Sequence, residues 1–309
     1  MDIEVDILLA VYNGSNYLQA LLDSLINQTF TNWRLLVSDD GSTDDTLSIL
    51  DDFRRTSGDR LVILPKCGKR LGPCGNFARL LENSTLPYAF FCDHDDVWLP
   101  TKIESQLREM KRLEMLKMQP LIVFTDLVAV NYDLSLKTNS FIKSERFNIL
   151  ACNRFYYLCN RNVAVGCSML LNHEAVHSVL PISQKAIMHD WWCMLVVSAR
   201  GKISFLNEAP IMYRHHSNSF TTCEKDSESR KSKVAENRLS KAFRLARIKQ
   251  HVLFELKKMA QAKELEYTHH IKFSSIHYLA TYCMGRILAP IFGCMIPWFR
   301  RYSFKMQTL

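Results

Sequence analysis

Short, almost continuous apolar runs alternate with segments of helical periodicity through the first hundred residues. The run at residues 5–11 is followed by helical spacing over residues 16–28, and the run at residues 33–38 by a second helical segment from Thr43 to Arg55. Continuous apolar runs are typical of strands that are buried on both faces, as in parallel sheets. The alternation therefore predicts right-handed βαβ units and an open α/β sheet that is mostly parallel.

The same reading extends through the remainder of the first two thirds of the chain. Two further helices are predicted, one from Asn76 onward and one over residues 186–200. A run at residues 162–171 reads as a strand that is interrupted by a glycine. The other strand-like runs are at residues 61–64, 88–92, 121–126 and 203–206.

The positive charge of the chain is concentrated in its last quarter. Residues 1–223 contain 22 Lys and Arg against 24 Asp and Glu, whereas residues 224–309 contain 17 against 7. This asymmetry predicts a neutral to acidic working domain, followed by a basic region that meets an anionic surface, either a membrane or a nucleic acid.

The ten cysteines fall singly among apolar neighbours, and none forms a C-x-x-C pair. That spacing excludes a zinc site of the usual kind. The first residues lack the basic segment of a signal peptide, so we expect reduced thiols in a cytosolic protein.

Two acidic clusters follow predicted strands, at the sheet edge where ligands bind in open α/β folds. Asp93, Asp95 and Asp96 follow one strand, and three adjacent carboxylates repel one another unless a cation neutralises them. A hard ion such as Mg²⁺ or Mn²⁺ suits these oxygen ligands, and the alternative is an acidic turn that caps the next helix. Asp39 and Asp40 follow another strand, either to bind a nucleobase or ribose or as ordinary helix capping.

Six motifs, taken in chain order, carry a resemblance to a known family. They are Ala10-Val11-Tyr12-Asn13, Gln28-Thr29-Phe30, Asp39-Asp40-Gly41-Ser42-Thr43-Asp44, the segment from Gly72 to Asn76, Asp93-His94-Asp95-Asp96-Val97-Trp98, and His189-Asp190-Trp191. Together they resemble the family 2 inverting glycosyltransferases of the GT-A fold, over residues 3–220. The last two motifs are similar to those of rhamnosyltransferase-like enzymes of bacterial surface polysaccharides.

The resemblance implies a Rossmann-like, mostly parallel sheet with flanking helices over residues 1–222. The nucleotide-sugar half would cover residues 1–100 and the acceptor half residues 101–222. A helical, basic and apolar C-terminal appendage would cover residues 223–309. The expected enzyme transfers a sugar, with rhamnose the leading candidate, from a nucleotide-diphosphate donor to a glycan hydroxyl in O-antigen, capsule or exopolysaccharide synthesis.

The resemblance also implies roles for individual residues. Ala10 and Tyr12 would flank the nucleobase, Asp40 would hydrogen-bond it, and Asp93 would meet the ribose or the metal shell. Asp95 would ligate Mg²⁺ or Mn²⁺ on the diphosphate.

On the acceptor side, Asp190 matches the catalytic base, and Trp191 and Trp192 would present apolar faces to sugar rings. Asp190 opens a predicted helix, whose dipole should lower its pKa and keep it ionised. Its alternative role is a simple N-cap.

Tyr213-Arg214-His215-His216 precedes a Ser-, Lys- and Glu-rich segment at residues 217–236, which we interpret as a mobile loop. Arg214 and His216 would meet the diphosphate or complete the metal shell, since arginine recognises phosphate well. The alternative is a solvated basic turn.

The apolar run at residues 278–299 is long enough to cross a bilayer, for which about 20 residues are needed. Arg286, Pro290 and Pro297 interrupt it, however, and they favour a segment that lies in the membrane interface. A packed subdomain and a true span are the alternatives. We therefore expect a cytoplasmic protein at the inner face of the cell membrane, with a lipid-linked acceptor.

Two other classes of protein fit the sequence less well. A metal-dependent nucleotidyltransferase of sugar activation usually carries a glycine-rich, basic phosphate loop after its first strand, whereas residues 11–16 contain one glycine and no lysine. A nucleic-acid-binding protein should interleave aromatic residues with its basic ones, but the aromatic residues at 273–302 lie where charge is sparse. No nucleic acid is expected as a partner.

Overall fold

The computed structural model describes residues 4–216 and 240–271, with side chains from Leu253 onward in the second range. The strands among these residues are β1 (Val5–Val11), β2 (Trp33–Asp39), β3 (Leu61–Ile63), β4 (Tyr88–Asp93), β5 (Val97–Trp98), β6 (Leu121–Thr125), β7 (Val128–Asn131), β8 (Leu136–Thr138), β9 (Met169–Asn172), β10 (Lys202–Leu206) and β11 (Ile211–His215). The helices are α1 (Leu18–Ile26), α2 (Thr46–Ser57), α3 (Gly72–Glu82), α4 (Lys102–Glu114), α5 (Phe141–Ser144), α6 (Phe155–Asn160), α7 (His173–Val179), α8 (His189–Arg200) and α9 (Ser240–His269).

Seven strands form the main sheet in the order β10-β6-β9-β4-β1-β2-β3. Strands β4, β1, β2 and β3 are parallel to one another, and so are β6 and β10. Strand β9 is antiparallel to both of its neighbours, β4 and β6. The prediction of a mostly parallel α/β sheet is confirmed.

The register of the parallel strands brings the predicted acidic clusters to one edge. Val11 pairs with Asp39 across β1 and β2, and Ala10 pairs with Asp93 across β1 and β4. Carboxyl ends of parallel strands meet at the same edge of a sheet, which is where open α/β folds bind ligands. Residues that are far apart in sequence therefore become neighbours at this edge, which is called the catalytic edge after the predicted site.

A second sheet of four short strands, in the order β5-β11-β7-β8, was not predicted. Strand β11 is antiparallel to β5 and parallel to β7. Its strands contain only two to five residues, too few for a period-2 pattern to be recognised. This sheet returns the chain from residues 211–215 to the segment that follows Asp93–Asp96.

Helix α3 begins at Gly72 and not at Asn76, so the helix is longer at its start than predicted. Pro73 lies in the first turn, where its missing N–H costs nothing and its fixed φ suits the helix. The predicted strand at residues 162–171 is also shorter, because a 3-10 turn occupies Gly166–Ser168 and only β9 is extended.

The chain divides into two units, Met1–Ser219 and Phe220–Leu309. In the second unit, α9 lies within the helical region that was predicted, and Lys258 and Glu255 form a buried ion pair of 3.0 Å. The predicted boundary at residue 222, the loop at 217–236 and the apolar run at 278–299 all lie outside the described residues. Among the residues that are described, no helix is long and apolar enough to cross a membrane.

Candidate active site at the acidic turn

The segment Asp93–Asp96, here called the acidic turn, joins β4 to β5 at the catalytic edge. Asp93 and Asp95 are half-buried, and Asp96 is fully buried. The backbone N–H of Arg214 donates to Asp96 Oδ1 at 3.1 Å. Asp96 therefore fastens the turn to β11, which leaves Asp93 and Asp95 as the carboxylates nearer to solvent.

His216 lies beside Asp95 of the acidic turn. Its Nε2 lies 2.8 Å from Asp95 Oδ2, and its ring packs at 4.6 Å from the ring of Tyr17. Burial acts to raise the pKa of Asp95, but the hydrogen bond from His216 and the nearby charges lower it below its usual value. Asp95 is thus held as an anion, with an imidazole nitrogen beside it.

The guanidinium of Arg214 has partners other than the predicted diphosphate. Its Nε donates to the carbonyl of Asp95 at 2.8 Å, and Nη1 donates to the carbonyl of Tyr132. The group also lies 4.8 Å from the ring of Tyr17, and the residue is 5% exposed. These donors organise the backbone around the acidic turn. The predicted contact of Arg214 with the diphosphate stays a prediction.

Asp93 lies in a more strongly repulsive environment than Asp95. Burial, followed by the charges of Asp95 and Asp190, raises the pKa of Asp93 to about 8. Ligand atoms of Asp93, Asp96 and Cys167 all lie within 4.8 Å of one another. Burial also raises the pKa of the Cys167 thiol, so this sulfur is a protonated neighbour of the carboxylates at neutral pH.

Asp40 accepts hydrogen bonds from the start of α3. Its two oxygens receive the backbone N–H groups of Leu71 at 2.6 Å and Gly72 at 2.9 Å. These helix N–H groups have no partner within the helix, so the carboxylate stabilises the helix start. Each oxygen keeps a second lone pair for another donor, so the predicted contact with a nucleobase stays a prediction.

Tyr12 follows β1 at the same edge, next to the buried Ala10. The guanidinium of Arg70 lies 3.7 Å from the centre of its ring and 3.8 Å from Asp40. Arg70 was missed in the sequence, because its loop carried no signal beyond its glycines and proline.

Asp190 lies in the first turn of α8 and is buried. Its Oδ2 accepts the backbone N–H of Gly166 at 3.1 Å, and its Oδ1 accepts that of Trp191 at 2.6 Å. Burial raises the pKa of Asp190 to about 6. The expected lowering by the helix dipole is therefore wrong, because burial outweighs the N–H groups that favour the anion.

His189, which precedes the base candidate, was not assigned a role from sequence. Its ring stacks on Phe77 at 4.0 Å and meets the edge of Phe91 at 4.7 Å. Neither ring nitrogen has a hydrogen-bond partner among the described residues, and burial lowers the pKa of His189 to about 3. The structure thus places a neutral imidazole beside Asp190.

The two tryptophans of this helix do not present their faces to a ligand. Trp192 is fully buried, and its Nε1 donates to the carbonyl of Val179. Trp191 is 5% exposed and donates to the carbonyl of Leu158. The predicted contact with sugar rings is corrected for both, because α8 is buried on all sides from His189 to Val197 and its aromatic rings belong to the core.

Gly166→Ala is expected to lower turnover by about 10²-fold while donor binding is retained. A Cβ at this position would lie 2.7 Å from His189 Nε2, so either the ring or the Gly166 backbone must shift. The Gly166 N–H positions Asp190, the predicted base, and a shift of about 1 Å in a catalytic group costs about that factor. Steady-state kinetics and donor titration measure the two effects.

Gly75→Ala is the matched control, since the nearest atom to its added methyl group is Leu71 Cβ at 3.1 Å. Equal turnover in both alanine variants would show that the position of the Gly166 backbone does not matter.

Several known proteins are similar in sequence to this chain. An uncharacterized glycosyltransferase of Rickettsia prowazekii is 36% identical over 114 residues, which span 36% of this chain and 33% of the relative. The dTDP-rhamnosyl transferase RfbG of Shigella flexneri is 26% identical over 227 residues, or 68% of this chain and 72% of that protein. The Escherichia coli enzyme WfaP is a UDP-Glc:alpha-D-GlcNAc-diphosphoundecaprenol beta-1,3-glucosyltransferase. It is 33% identical over 107 residues, which span 35% of this chain and 41% of WfaP. This chain thus matches only about a third of the length of several relatives.

Solved structures with the same fold include S. aureus TarS in complex with UDP-GlcNAc. It has a TM-score of 0.56 at 13% identity and covers 93% of this chain and 81% of its own. The mannosyltransferase PcManGT of Pyrobaculum calidifontis, in complex with GDP-Man and Mn²⁺, has a TM-score of 0.51 at 12% identity. The match covers 100% of this chain and 81% of PcManGT. The expected GT-A fold is confirmed by these matches. Since Glycosyl transferase family 2 matches residues 6–176, which is more than half of the sequence, the chain belongs to that family.

Proposed function

We propose that this glycosyltransferase inverts the anomeric carbon as it moves a sugar from a nucleotide-diphosphate donor to a hydroxyl of a bacterial glycan. The observation that carries the proposal is the proximity of Asp190 to the acidic turn. After burial and Asp95, the charge of Asp190 is the third cause that raises the pKa of Asp93. Asp190 also accepts the N–H of Gly166, whose neighbour Cys167 has its sulfur within 4.8 Å of ligand atoms of Asp93 and Asp96. A carboxylate from α8 therefore lies close to the acidic turn.

Asp190 is the proposed catalytic base. Its carboxylate would accept the proton of the acceptor hydroxyl as the oxygen attacks the sugar. A base of raised pKa binds a proton more readily, and Asp190 is still largely ionised at neutral pH. One base on the face opposite the leaving group gives a single in-line displacement and hence inversion.

The donor nucleoside is proposed to lie against Ala10 and Tyr12, with Asp40 and Asp93 as hydrogen-bond acceptors. Ala10, Asp93 and the strand end before Asp40 are adjacent in the register of the main sheet. The Tyr12 ring already carries a planar cation on one face, since Arg70 stacks there. A planar base suits the same kind of surface.

The residues of the acidic turn fit a divalent cation. Asp95 Oδ2 and His216 Nε2 lie 2.8 Å apart. Two adjacent ligand atoms of an octahedral ion, each about 2.1 Å from it, are about 3 Å apart, so the observed spacing fits a pair of ligands. The raised pKa of Asp93, caused first by burial and then by Asp95, reflects repulsion that a cation would relieve.

We propose Asp95 and His216 as ligands of Mg²⁺ or Mn²⁺, with Asp93 in the metal shell or on the ribose. Asp96 and Cys167 are less suitable, because Asp96 is fully buried and the Cys167 thiol is protonated. When bound, such an ion neutralises charge on the leaving diphosphate.

The relatives support a donor and an acceptor class for this proposal. RfbG is named as a dTDP-rhamnosyl transferase, which supports rhamnose as the sugar. The name of WfaP specifies an acceptor on diphosphoundecaprenol, which supports a lipid-linked glycan in O-antigen, capsule or exopolysaccharide synthesis. The basic residues 224–309 suit the anionic inner face of the cell membrane, where we place the enzyme.

A donor screen tests the proposed function. We expect the purified chain with Mn²⁺ to hydrolyse dTDP-rhamnose faster than UDP-glucose, UDP-GlcNAc or GDP-mannose, as measured by release of the nucleoside diphosphate. Donor hydrolysis by the Asp190→Asn variant tests whether Asp190 also acts as the base when water takes the place of the acceptor. Preference for another donor would overturn rhamnose alone, whereas no binding of any nucleotide sugar would overturn the transferase proposal.

A further inference from the structure

Strands β7 and β8 form a hairpin whose tip is held by its own hydrogen bonds. The backbone N–H of Asn131 donates to the carbonyl of Ser135 at 2.9 Å, and that of Leu134 donates to Asn131 at 3.0 Å. Leu134 has a φ of 67°, which favours glycine or asparagine and is costly for a bulky side chain. A leucine at this position is therefore not explained by local stability.

Three large apolar side chains are exposed on this hairpin, and together they are called the hairpin tip. Tyr132 is 67% exposed, Leu134 38% and Leu136 57%. Single exposed apolar residues are ordinary on protein surfaces, but three within five residues form a patch. Such patches mark surfaces that contact another molecule.

The hairpin tip lies beside the acidic turn. Strands β7 and β11 are parallel, and Asn131 pairs with His215 in their register. Tyr132 follows Asn131 and His216 follows His215, so both chains leave the second sheet at the same end. The hydrogen bond from Arg214 to the carbonyl of Tyr132 joins the two directly.

The segment that carries the hairpin tip is basic, although the catalytic unit is not. Residues 132–161 contain five Lys and Arg against two Asp and Glu, whereas residues 1–223 contain 22 against 24. Lys137, which follows Leu136 in sequence, is exposed, and so is Lys143 in α5. Asp133 is the one acidic residue within the tip, and it accepts hydrogen bonds from Ser135. Exposed apolar side chains in a segment with exposed lysines complement an anionic lipid surface.

We propose that the hairpin tip inserts into the surface of an anionic membrane and so turns the catalytic edge toward a lipid-linked acceptor. Two of its three side chains are leucines, which suit the acyl boundary, whereas sugar rings pack on aromatic faces. Tyrosine is itself common at the level of lipid headgroups. The inference deepens the proposed function, on whose lipid-linked acceptor it rests.

The test compares two triple variants of the full chain. Tyr132→Ser, Leu134→Asn and Leu136→Thr remove the apolar tip, and asparagine tolerates the left-handed backbone at position 134. Met115→Ser, Leu116→Ser and Met118→Ser are the control, since these exposed residues precede β6 at the opposite edge of the sheet. Binding is measured by flotation with vesicles of phosphatidylglycerol and phosphatidylcholine, in the absence of any donor or acceptor.

The tip variant should lose about tenfold or more in lipid partitioning, with a Tm no lower than that of the parent and with unchanged donor hydrolysis. The control variant should bind as the parent does. The tip and residues 224–309 contribute additively to the free energy of binding. The parent and the tip variant should therefore differ even if residues 224–309 also contact the vesicles.

Equal binding by the parent and the tip variant would overturn the inference, as would an equal loss in the control. If the tip variant showed a higher KM for a soluble glycan acceptor and unchanged lipid binding, the tip would be a sugar-binding surface. A change only in oligomeric state would make it a contact between copies. Donor hydrolysis tests the transferase proposal separately, so the two failures are distinguishable.

Discussion

Asp190→Asn is expected to lower sugar transfer by about 10²–10⁴-fold and to leave donor affinity unchanged, as is usual when a positioned base is lost. The amide is nearly isosteric with the carboxylate, and its oxygen still accepts the N–H of Gly166 or of Trp191. The amide cannot take a proton from the acceptor hydroxyl. Single-turnover transfer and donor titration by calorimetry measure the two quantities.

The pH dependence of transfer provides a second readout of the same residue. Burial raises the pKa of Asp190 to about 6, and only the ionised form acts as a base. The rate should therefore be level above this pH and fall about tenfold per pH unit below it. The Asp190→Asn variant should lose this acidic limb of the profile.

Glu174→Gln is the matched control for the change at Asp190. Asn172 pairs with Tyr88 at the start of β4, so Glu174, which follows it in α7, lies at the edge opposite the acidic turn. Near-normal transfer by Asp190→Asn would show that the base is another group.

Asp95→Asn is expected to lower turnover by at least about 10²-fold and to weaken donor binding in the presence of Mn²⁺. The carboxylate next to His216 is the proposed cation ligand, and a neutral amide holds a hard cation much less well. Donor affinity should then become the same with and without Mn²⁺. Calorimetric titration of the nucleotide sugar, with the ion present and then chelated, measures this difference.

Asp59→Asn removes the same charge at an exposed position before β3 and should behave as the parent. Full transfer in excess chelator would contradict the cation assignment. If Mn²⁺ still strengthened donor binding to Asp95→Asn, the ligands would be Asp93 and His216 without Asp95.

The edge that carries the site was predictable, whereas the partners of most site residues were not. The chain order of strands and helices placed Asp93 and Asp39 at the ends of parallel strands, and their register is as this order requires. Neither the hydrogen bonds from Leu71 and Gly72 to Asp40 nor the stacking of Arg70 on Tyr12 has a signal in the spacing of residues. Both depend on how the loop before α3 folds over the sheet.

The tryptophans show the same limit in a different way. In sequence, Trp191 and Trp192 follow a candidate base and are typical of residues that line a sugar site. In the structure they are core residues, because α3, α6 and α7 pack on α8 and its side chains are buried on every face from His189 to Val197. Periodicity gives the faces of a helix, but it does not give the number of faces that are covered.

The sequence by itself determined the α/β order, the parallel edge and the acidic clusters at that edge, because apolar runs and their polar ends are local properties of the chain. Tertiary structure decided which groups meet there. His216 reaches Asp95 across 121 residues, through a sheet of strands too short to predict. Tertiary structure also decided the pKa of Asp190, since the helix dipole is local, whereas burial depends on everything that packs around the carboxylate.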